Sequence, residues 1–274
     1  MPELPEVETL LRGLTPHLEG AIVEDVIIRQ HQLRWPISPQ LKTYLCQQKI
    51  IKLVRRGKYL LIQVTDGTLI IHLGMSGSLR ILNLNTPPTR HDHLDIIFST
   101  NQLLRYHDPR RFGAVLWTEE EPLNHPLLKS LGVEPLDTKF TGQYLQQKAL
   151  RRRIAIKPFI MNSNIVTGIG NIYAAEALFL ANIHPTKQAG LLTQQQYERL
   201  VDSIKHILNT AISQGGTTLK DFVNSEGKPG YFSQKLHVYG RAGLPCMACG
   251  SILQSIQLGK RSTVFCEHCQ LPPL

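Results

Sequence analysis

The first residues of the chain carry apolar side chains at helical spacing. These side chains recur every three or four positions, at Val7, Leu10, Leu11 and Leu14. Pro5 suits the first turn of a helix, because the N–H that proline lacks has no helical partner there. The pattern therefore predicts an amphipathic helix over residues 4–14 that ends near Pro16.

Short runs rich in β-branched and aromatic residues follow, separated by turn residues such as Asp66 and Gly67. Strands are expected over residues 21–29, 50–55, 58–64, 68–73, 94–99, 102–106 and 114–117. This density of strands predicts a β-sandwich or a barrel behind the first helix.

From about residue 136 the apolar spacing becomes helical, and residues 136–214 are expected to form a helical domain. Thr193 and Gln196 have the spacing of a capping box, and Gly215 can end the helix that they begin. The segment 215–240 is rich in Gly, Lys and Ser and is expected to form a long loop. Such a loop in a compact protein is usually functional or disordered.

The charge of the chain indicates its partner. The 274 residues suffice for two domains with substantial cores. A formal net charge of +9 and a pI of about 9.4 favour a polyanion, either a nucleic acid or an anionic membrane surface. No apolar run approaches the length of a membrane span, and no hydrophobic segment typical of a signal peptide follows the start. We therefore expect a cytoplasmic protein that binds nucleic acid.

The cysteines predict a metal site. Four of the five lie near the C-terminus, at Cys246, Cys249, Cys266 and Cys269. These two Cys-x-x-Cys pairs have the spacing of a zinc ribbon, because each pair can present two thiolates to one tetrahedral ion. Four sulfur ligands leave no position for a substrate, so the zinc is expected to be structural. A hairpin of strands over residues 251–258 and 262–265, turning at residues 259–261, is expected to hold its basic tip rigidly. Cys46 stands alone and is expected to be a small buried filler.

A basic patch lies in the middle of the chain, at residues 151–153 with Lys157 close behind. It precedes the glycine-containing segment 166–171, in which Asn171 can cap a helix over residues 172–181. The N–H groups at such a helix start bind phosphate. The pattern favours a clamp for a nucleic acid backbone, although a basic run is also common on an ordinary solvated face.

The chain starts Met-Pro-Glu, and removal of Met1 leaves Pro2 as a secondary amine beside the Glu3 carboxylate. A secondary amine that attacks a sugar carbon forms an iminium that has no N–H proton to lose and therefore acts as an electron sink. At the positive end of the predicted helix dipole, the protonated amine is disfavoured. Taken alone, Pro2 more simply follows a start codon, and the rest of the chain decides between the two interpretations.

Motifs along nearly the whole chain make it resemble the bacterial formamidopyrimidine-DNA glycosylases. They are PELPEVET at the start, GKYLLI at 57–62, HLGMSG at 72–77, HDH at 91–93, DPRRFG at 108–113, GIGNIYAAEALF at 168–179, GGTTLKDF at 215–222, GKPGYF at 227–232, VYGR at 238–241 and the four-cysteine tail. Leu4 and the GKPGYF segment favour the branch of the family that excises oxidised purines over the related endonuclease VIII group. The triple arginine at 151–153 departs from the lysine-rich version of that patch but keeps its charge.

The resemblance implies an α+β fold of two domains. An N-terminal β-sandwich with an N-terminal helix is implied for residues 1–135. A helical DNA-binding domain of the helix–two-turns–helix type is implied for residues 136–240, with a lesion-recognition loop at 217–239, and a four-cysteine zinc-ribbon hairpin for residues 241–274. The family further implies a monomer with one structural Zn²⁺ ion, which acts on double-stranded DNA containing oxidised purines in the bacterial cytoplasm, associated with the nucleoid.

The activity that the resemblance implies is base-excision repair by a bifunctional enzyme. Such an enzyme removes 8-oxoguanine and formamidopyrimidines and then cleaves the abasic site by β,δ-elimination through a Schiff base at Pro2. The catalytic residues implied are Pro2, Glu3, Lys58 and Arg261. The DNA contacts implied are His91, Arg110, Arg152, Lys157, Asn171 and Tyr239. Met75, Arg110 and Phe112 are implied to fill the space left by a flipped base, and Glu6 and residues 217–239 to wall the lesion pocket.

A non-catalytic, zinc-containing DNA-binding or damage-sensing protein is the alternative. Net charge and cysteine spacing fit it equally well. Pro2, Glu3 and Lys58 favour the enzyme, because a protein that only binds DNA has no use for a free N-terminal proline.

Overall fold

The computed structural model describes residues 1–216 and 236–271, and these form two compact units. The first unit contains residues 1–129 and 212–216, and the second contains residues 130–211 and 236–271. None of the described helices is both long enough and apolar enough to cross a membrane.

The described part of the first unit contains two antiparallel four-stranded sheets. Its strands are β1 (Val23–Ile28), β2 (Ile50–Arg56), β3 (Tyr59–Val64), β4 (Gly67–His72), β5 (Ser78–Asn83), β6 (Asp92–Phe98), β7 (Gln102–His107) and β8 (Ala114–Thr118). One sheet has the strand order β1-β6-β7-β5, and the other has the order β2-β3-β4-β8. The helices of this unit are α1 (Leu4–Leu18), α2 (Leu41–Leu45) and a 3-10 turn (Pro122–Asn124).

One buried hydrophobic cluster joins both sheets and the first helix. It includes Leu14 of α1, Leu60 and Leu69 of one sheet, and Leu94 and Leu104 of the other. Burial of apolar surface between two sheet faces is what stabilises a sandwich. The predicted β-sandwich with an N-terminal helix is therefore confirmed.

Helix α1 is longer than predicted, because it continues through Pro16 to Leu18. Pro16 cannot donate a helical hydrogen bond, but only one such bond is lost and it lies near the end of the helix. Leu18 is fully buried in the same cluster as Leu14. The burial of one more turn of the apolar stripe outweighs the missing bond.

Two strand predictions need correction. Strand β5 was not expected, although Ser78–Asn83 begins with an alternation of polar and apolar residues over Ser78, Leu79, Arg80 and Ile81. It forms because it pairs with β7 along its whole length. Strand β3 begins at Tyr59 rather than Lys58, since Gly57 and Lys58 form the two-residue turn of the β2–β3 hairpin. Gly57 has a φ of 59°, which suits the first central position of a type II′ turn.

The described part of the second unit is mainly helical. Its elements are α3 (Gly142–Ala149), α4 (Ile156–Ile160), α5 (Asn171–Leu180), a 3-10 turn (Ala189–Leu191) and α6 (Gln194–Ser213), followed by the strands β9 (Gln254–Leu258) and β10 (Arg261–Phe265). The capping box before α6 is confirmed: the Thr193 N–H donates to Gln196 Oε1 over 3.0 Å, and the Gln196 N–H donates to Thr193 Oγ1 over 3.2 Å. Helix α6 ends before Gly215, whose φ is 76°.

Helix α5 begins one residue earlier than predicted. Gly170 occupies the capping position, and Asn171 is the first helical residue. The predicted role of Asn171 as the helix cap is therefore wrong. Its side chain makes contacts with another element instead.

The hairpin of the cysteine region turns over two residues. Gly259 and Lys260 have φ values of 57° and 61°, and two positive φ values in a two-residue loop are typical of a type I′ turn. Arg261 was expected inside the turn, but it is the first residue of β10 and pairs with Leu258. A strand position fixes the backbone of Arg261 more firmly than a turn position does.

Shortening an α1 side chain that lies in the core should strongly destabilise the protein. We expect Leu10→Ala, at a fully buried position, to lower the free energy of unfolding by about 2–5 kcal/mol, because it removes apolar contacts and leaves a cavity. Ile51→Ala is the control, because Ile51 is 57% exposed. Urea denaturation measures both variants, and equal losses would contradict the placement of α1 in the core.

Candidate active site and DNA interface

The start of the chain is buried and fixed. Pro2 and Glu3 are buried immediately before α1, and Glu3 is the capping residue of that helix. The Glu6 carboxylate, which is fully buried, accepts a hydrogen bond from the Glu3 N–H over 2.7 Å. Both carboxylates thus lie at the positive end of the helix dipole, beside Pro2. A chain terminus is usually mobile, whereas here burial of Pro2 and Glu3 and the hydrogen bond of the Glu3 N–H restrain the residues that follow the exposed Met1.

Arg55 ties the hairpin that carries Lys58 to α1. Its Nε donates to Glu8 Oε2 over 2.9 Å, and its Nη1 donates to the Gly57 carbonyl over 3.0 Å. Burial would raise the pKa of Glu8, but the hydrogen bonds from Arg55 and Arg12 hold it below its usual value. Glu8 is therefore ionised at neutral pH, and the half-buried Lys58 lies in a turn whose position α1 controls.

His72 lies at the end of β4, where the HLGMSG motif begins. It pairs with Tyr59 across the sheet, and the two rings are 4.7 Å apart. Burial lowers the pKa of His72 to about 4, and the nearby charges of Lys58 and Arg34 contribute. The imidazole is therefore neutral at neutral pH, and its Nδ1 accepts a hydrogen bond from the Gly74 N–H over 3.0 Å.

The three residues expected to fill the space of a flipped base lie on two loops of the first unit. Met75 is half-buried, and Arg110 and Phe112 are exposed. The Arg110 guanidinium lies over the Phe112 ring, 4.8 Å from its centre. The loops touch through their backbones: a Cβ on Gly74 would lie 2.4 Å from the carbonyl carbon of Phe112, so no larger residue fits there.

His91 is half-buried among aromatic neighbours. Its ring lies edge-on to the rings of His93 and His107, at 6.3 and 6.0 Å. Asp92, which lies between the two histidines of the HDH motif, is hydrogen-bonded to a third histidine: its Oδ1 accepts from His107 Nδ1 over 2.8 Å. Within residues 1–216 and 236–271, the only His, Cys, Asp and Glu side chains grouped closely enough to hold one ion are the four cysteines.

Lys157 is not on the surface of the second unit. It is 1% exposed, and its Nζ donates to Asn171 Oδ1 and to Thr263 Oγ1, both over 2.8 Å. Asn171 Nδ2 in turn donates to the Ser262 carbonyl over 3.1 Å. The Lys157 side chain is therefore not accessible for the direct contact with DNA that was expected of it. The buried ammonium instead joins α4, the start of α5 and strand β10.

The remaining basic residues of the prediction are accessible. Arg152 and Arg261 are both exposed. The Arg152 backbone is fixed by hydrogen bonds to Ala149 and Gly190, whereas β10 fixes the backbone of Arg261. Among the described residues, no hydrogen bond or ion pair engages the guanidinium of either side chain, so both can bind phosphate.

Most of the expected lesion-recognition loop, residues 217–235, lies outside the described residues. At its C-terminal side, the fully buried Glu176 accepts backbone N–H bonds of 2.8, 2.9 and 2.8 Å from His237, Val238 and Tyr239. At its N-terminal side, a Cβ on Gly216 would lie 3.3 Å from Glu6 Oε1. Tyr239 is thus held through its backbone, and Glu6 lies next to the start of the expected loop.

The four cysteines have the geometry of a zinc site. Their sulfur atoms all lie within 4.8 Å of one another, with Cys246–Cys269 at 3.9 Å and Cys249–Cys266 at 3.5 Å. Four sulfurs at 2.3 Å from a tetrahedral ion are about 3.8 Å apart, so the site fits Zn²⁺. Cys246 and Cys266 also belong to a buried cluster with Phe179 of α5. The ion therefore stabilises the hairpin against the helix.

Two buried carboxylates, one in each unit, were not predicted from the sequence. Glu176 is an acidic residue within the otherwise apolar α5, and Asp108 precedes Pro109 and the two exposed arginines. Both are fully buried, although carboxylates are rarely buried without partners. An acidic residue inside an apolar helix was the available signal for Glu176. No local pattern distinguished Asp108 from a turn residue.

Models of known families match three parts of the chain. Residues 1–115 match the formamidopyrimidine-DNA glycosylase N-terminal domain, and residues 131–223 match the H2TH domain of the same proteins. Residues 243–271 match the zinc finger found in FPG and IleRS.

Curated relatives match over nearly the full length. The formamidopyrimidine-DNA glycosylase of Nitrosococcus oceani is 52% identical over 270 residues, covering 98% of this chain and 100% of the relative. That of Pseudomonas aeruginosa is 54% identical with the same coverage.

Solved structures agree with the sequence matches. A mutant of the Lactococcus lactis enzyme in complex with a Fapy-dG containing DNA is 35% identical, with a TM-score of 0.92, covering 99% of this chain and 100% of that one. MutM in complex with a carbocyclic 8-oxo-G containing DNA is 36% identical, with a TM-score of 0.90 and the same coverage.

Loss of the zinc ion should weaken DNA binding more than it destabilises the fold. We expect one zinc per chain by elemental analysis, and Cys246→Ser to lower duplex affinity because the strand that carries Arg261 loses its support. The first unit contains none of the metal ligands, so its unfolding should change little. Cys46→Ser is the matched control and should retain the metal. A zinc-free protein with unchanged affinity would contradict this role.

Proposed function

The chain belongs to the formamidopyrimidine-DNA glycosylase family, and we propose that Pro2 is the nucleophile with which it excises damaged bases. It is a base-excision repair enzyme that removes oxidised purines from duplex DNA and cleaves the resulting abasic site. The observation that supports Pro2 most directly is the fixed, buried chain start, where Glu3 and Glu6 lie beside it at a helix N-terminus. Because the family is enzymatic, the alternative of a protein that only binds DNA is not retained.

The first step of the proposed mechanism requires an extruded base. A damaged base inside the duplex is out of reach, so the nucleotide is flipped into a pocket, which costs a few kcal/mol of unstacking. The Pro2 nitrogen, freed by removal of Met1, attacks C1′ as the bond from C1′ to the base breaks. Glu3 acts as the adjacent acid catalyst. As the Pro2 nitrogen loses its proton, the C1′–O4′ bond of the sugar ring breaks, O4′ is protonated, and the opened sugar remains attached to Pro2 as an iminium. Glu6 forms part of the pocket wall.

The iminium then drives strand cleavage. Its positive charge acidifies the C2′ hydrogen, so that a proton leaves C2′ and the C3′–O bond breaks with release of the 3′ phosphate. Loss of a further proton releases the 5′ phosphate, which leaves a one-nucleoside gap with phosphate at both ends. Lys58 assists the elimination steps. Arg261 holds the adjacent phosphate through its planar guanidinium, which can make two parallel hydrogen bonds.

The parts of the chain divide this work. We propose that residues 1–135 form the catalytic sandwich, residues 136–240 the helical DNA-binding domain with its lesion-recognition loop, and residues 241–274 the zinc finger. The DNA contacts are assigned to His91, Arg110, Arg152, Asn171 and Tyr239. Lys157, which is buried, supports Asn171 and β10 from within. The setting is the cytoplasm of a bacterium, on its chromosome, where one monomer suffices for one flipped nucleotide.

The nucleophile can be identified by trapping. Borohydride reduction during reaction with a duplex containing 8-oxoguanine should give a covalent adduct that maps to Pro2, because only an iminium is reduced to a stable amine. Insertion of one residue between Met1 and Pro2 should abolish trapping, because it converts the proline nitrogen to an amide. Peptide mapping by mass spectrometry is the measurement. Attachment at Lys58 would overturn the assignment.

The residues that fill the space of the flipped base can be tested with two substrates. We expect Met75→Ala and Phe112→Ala to slow excision from a duplex by about tenfold or more, since each 1.4 kcal/mol of lost support costs a factor of ten. Cleavage of a duplex with a preformed abasic site should change little, because no base has to be extruded. Single-turnover kinetics on the two duplexes gives the ratio of the rate of base excision to the rate of abasic-site cleavage. Equal losses on both substrates would count against this role.

A further inference from the structure

A buried carboxylate lies beneath the surface that carries Met75, Arg110 and Phe112. We propose that Asp108 is a positioning residue for base extrusion: it locks the two loops that carry these side chains into one rigid unit. This inference rests on the proposed role of the three side chains in filling the space of the flipped base. Asp108 is fully buried in the protein and is not itself available to DNA.

The two oxygens of the Asp108 carboxylate bind different segments. Oδ1 accepts from the Ser76 hydroxyl over 2.7 Å and from the Arg110 N–H over 3.3 Å. Oδ2 accepts from the Gly113 N–H over 2.9 Å and from the Tyr106 hydroxyl over 3.1 Å. One carboxylate therefore holds both ends of the segment 110–113 and also the residue that follows Met75.

The backbone of Asp108 joins a third segment to the other two. Its N–H donates to the His91 carbonyl over 3.0 Å. Its carbonyl accepts from His93 Nε2 over 2.8 Å, which places the proton of that imidazole on Nε2. The HDH motif, which carries the proposed DNA contact His91, is thus fixed to the same residue. His91 and the three side chains proposed to fill the space of the flipped base thus all depend on one buried group.

The backbone around the carboxylate packs too closely to admit a larger residue at two glycines. A Cβ on Gly113 would lie 1.8 Å from the Tyr106 hydroxyl oxygen, and one on Gly77 would lie 2.3 Å from the Leu73 carbonyl oxygen. Burial, followed by the Asp108 charge, raises the pKa of Tyr106, so its hydroxyl remains a donor. The Tyr106 and Ser76 hydroxyls and the N–H groups of Arg110 and Gly113 therefore all donate hydrogen bonds to the Asp108 carboxylate.

An asparagine cannot replace this aspartate. Its amide has one oxygen and one NH₂ group, and the NH₂ group cannot accept a hydrogen bond. Ser76 and Tyr106 could rotate their hydroxyls to accept instead, but the N–H groups of Arg110 and Gly113 cannot. If the NH₂ group faces Gly113, the N–H of Gly113 loses its acceptor; if it faces Arg110, the N–H of Arg110 keeps only the 3.3 Å bond to Ser76 Oγ. Only a carboxylate accepts from both ends of the segment 110–113.

The experiment compares Asp108→Asn with the wild-type protein on two duplexes. We expect single-turnover excision of 8-oxoguanine to fall roughly 10- to 100-fold, as displaced reaction-site groups typically cause. Cleavage of a preformed abasic site should be retained. The fluorescence of a 2-aminopurine placed next to the lesion should show that extrusion is the slowed step. A general loss of fold would lower both activities together.

Asp95→Asn is the matched control. Asp95 is an equally buried carboxylate on β6, but its hydrogen bonds go to Arg29 and Arg105 and not to the loops. We expect this variant to be less stable yet to keep the wild-type ratio of excision to abasic-site cleavage. A change of that ratio in Asp95→Asn equal to the change in Asp108→Asn would overturn the inference.

Two further variants keep the inference separate from the proposed function. If Met75→Ala lowers the ratio and Asp108→Asn does not, the positioning role of Asp108 is wrong while the role of Met75 stands. If neither lowers it, the proposed role of the loops fails and the inference fails with it. If Asp108→Asn does not fold, Ser76→Ala decides, because it leaves the carboxylate in place and removes only the two bonds of the Ser76 hydroxyl, the 2.7 Å bond to Asp108 and the 3.3 Å bond from the Arg110 N–H. An unchanged ratio in Ser76→Ala would then reject the proposal.

Discussion

The burial of helix α1 in the sandwich core is the constraint on which the first unit depends. Leu4, Leu10 and Leu14 are fully buried, and Leu18 extends the same face. A nucleophile at a chain terminus would ordinarily lose much of its effect to motion, since termini are the most mobile part of most domains. Here the helix anchors the terminus, and the helix dipole and the two glutamates act on a fixed position.

The second unit depends on a buried cation and a metal. Isolation of an ammonium group from water is unfavourable unless hydrogen bonds replace its hydration. Lys157 meets that requirement through Asn171 and Thr263, which come from α5 and β10. The zinc cysteines lie in the same cluster as Ala175 and Phe179 of α5. The ion and the lysine thus fix the strand of Arg261 to the helix of Asn171 from two sides, which holds two of the residues proposed to act on DNA in fixed positions.

In each unit a buried carboxylate accepts hydrogen bonds from several backbone N–H groups. Asp108 gathers the N–H groups of Arg110 and Gly113, and Glu176 gathers those of the segment that ends at Tyr239. In each case a charge that is costly to bury is stabilised by several donors, and the backbone around it is held in one conformation. The surface side chains that we propose to contact DNA are therefore attached to backbone held by buried hydrogen bonds.

The sequence by itself determined the features that depend on neighbours along the chain. The apolar spacing gave α1, the Thr193–Gln196 pair gave the start of α6, and the cysteine spacing gave the metal site. The motifs indicated the family and the set of functional residues that we propose. Each of these signals is local, because helix caps, apolar stripes and Cys-x-x-Cys turns are complete within a few residues.

Only the tertiary structure decided which polar side chains are buried and what they hold. Ser76 and Asp108 are 32 positions apart, Glu176 and Val238 are 62 apart, and Lys157 and Thr263 are 106 apart. Propensity could not pair such residues, because their burial becomes favourable only once packing has brought the partners together and excluded water. For the same reason Lys157 resembled a surface lysine and Asn171 a helix cap until their contacts were known.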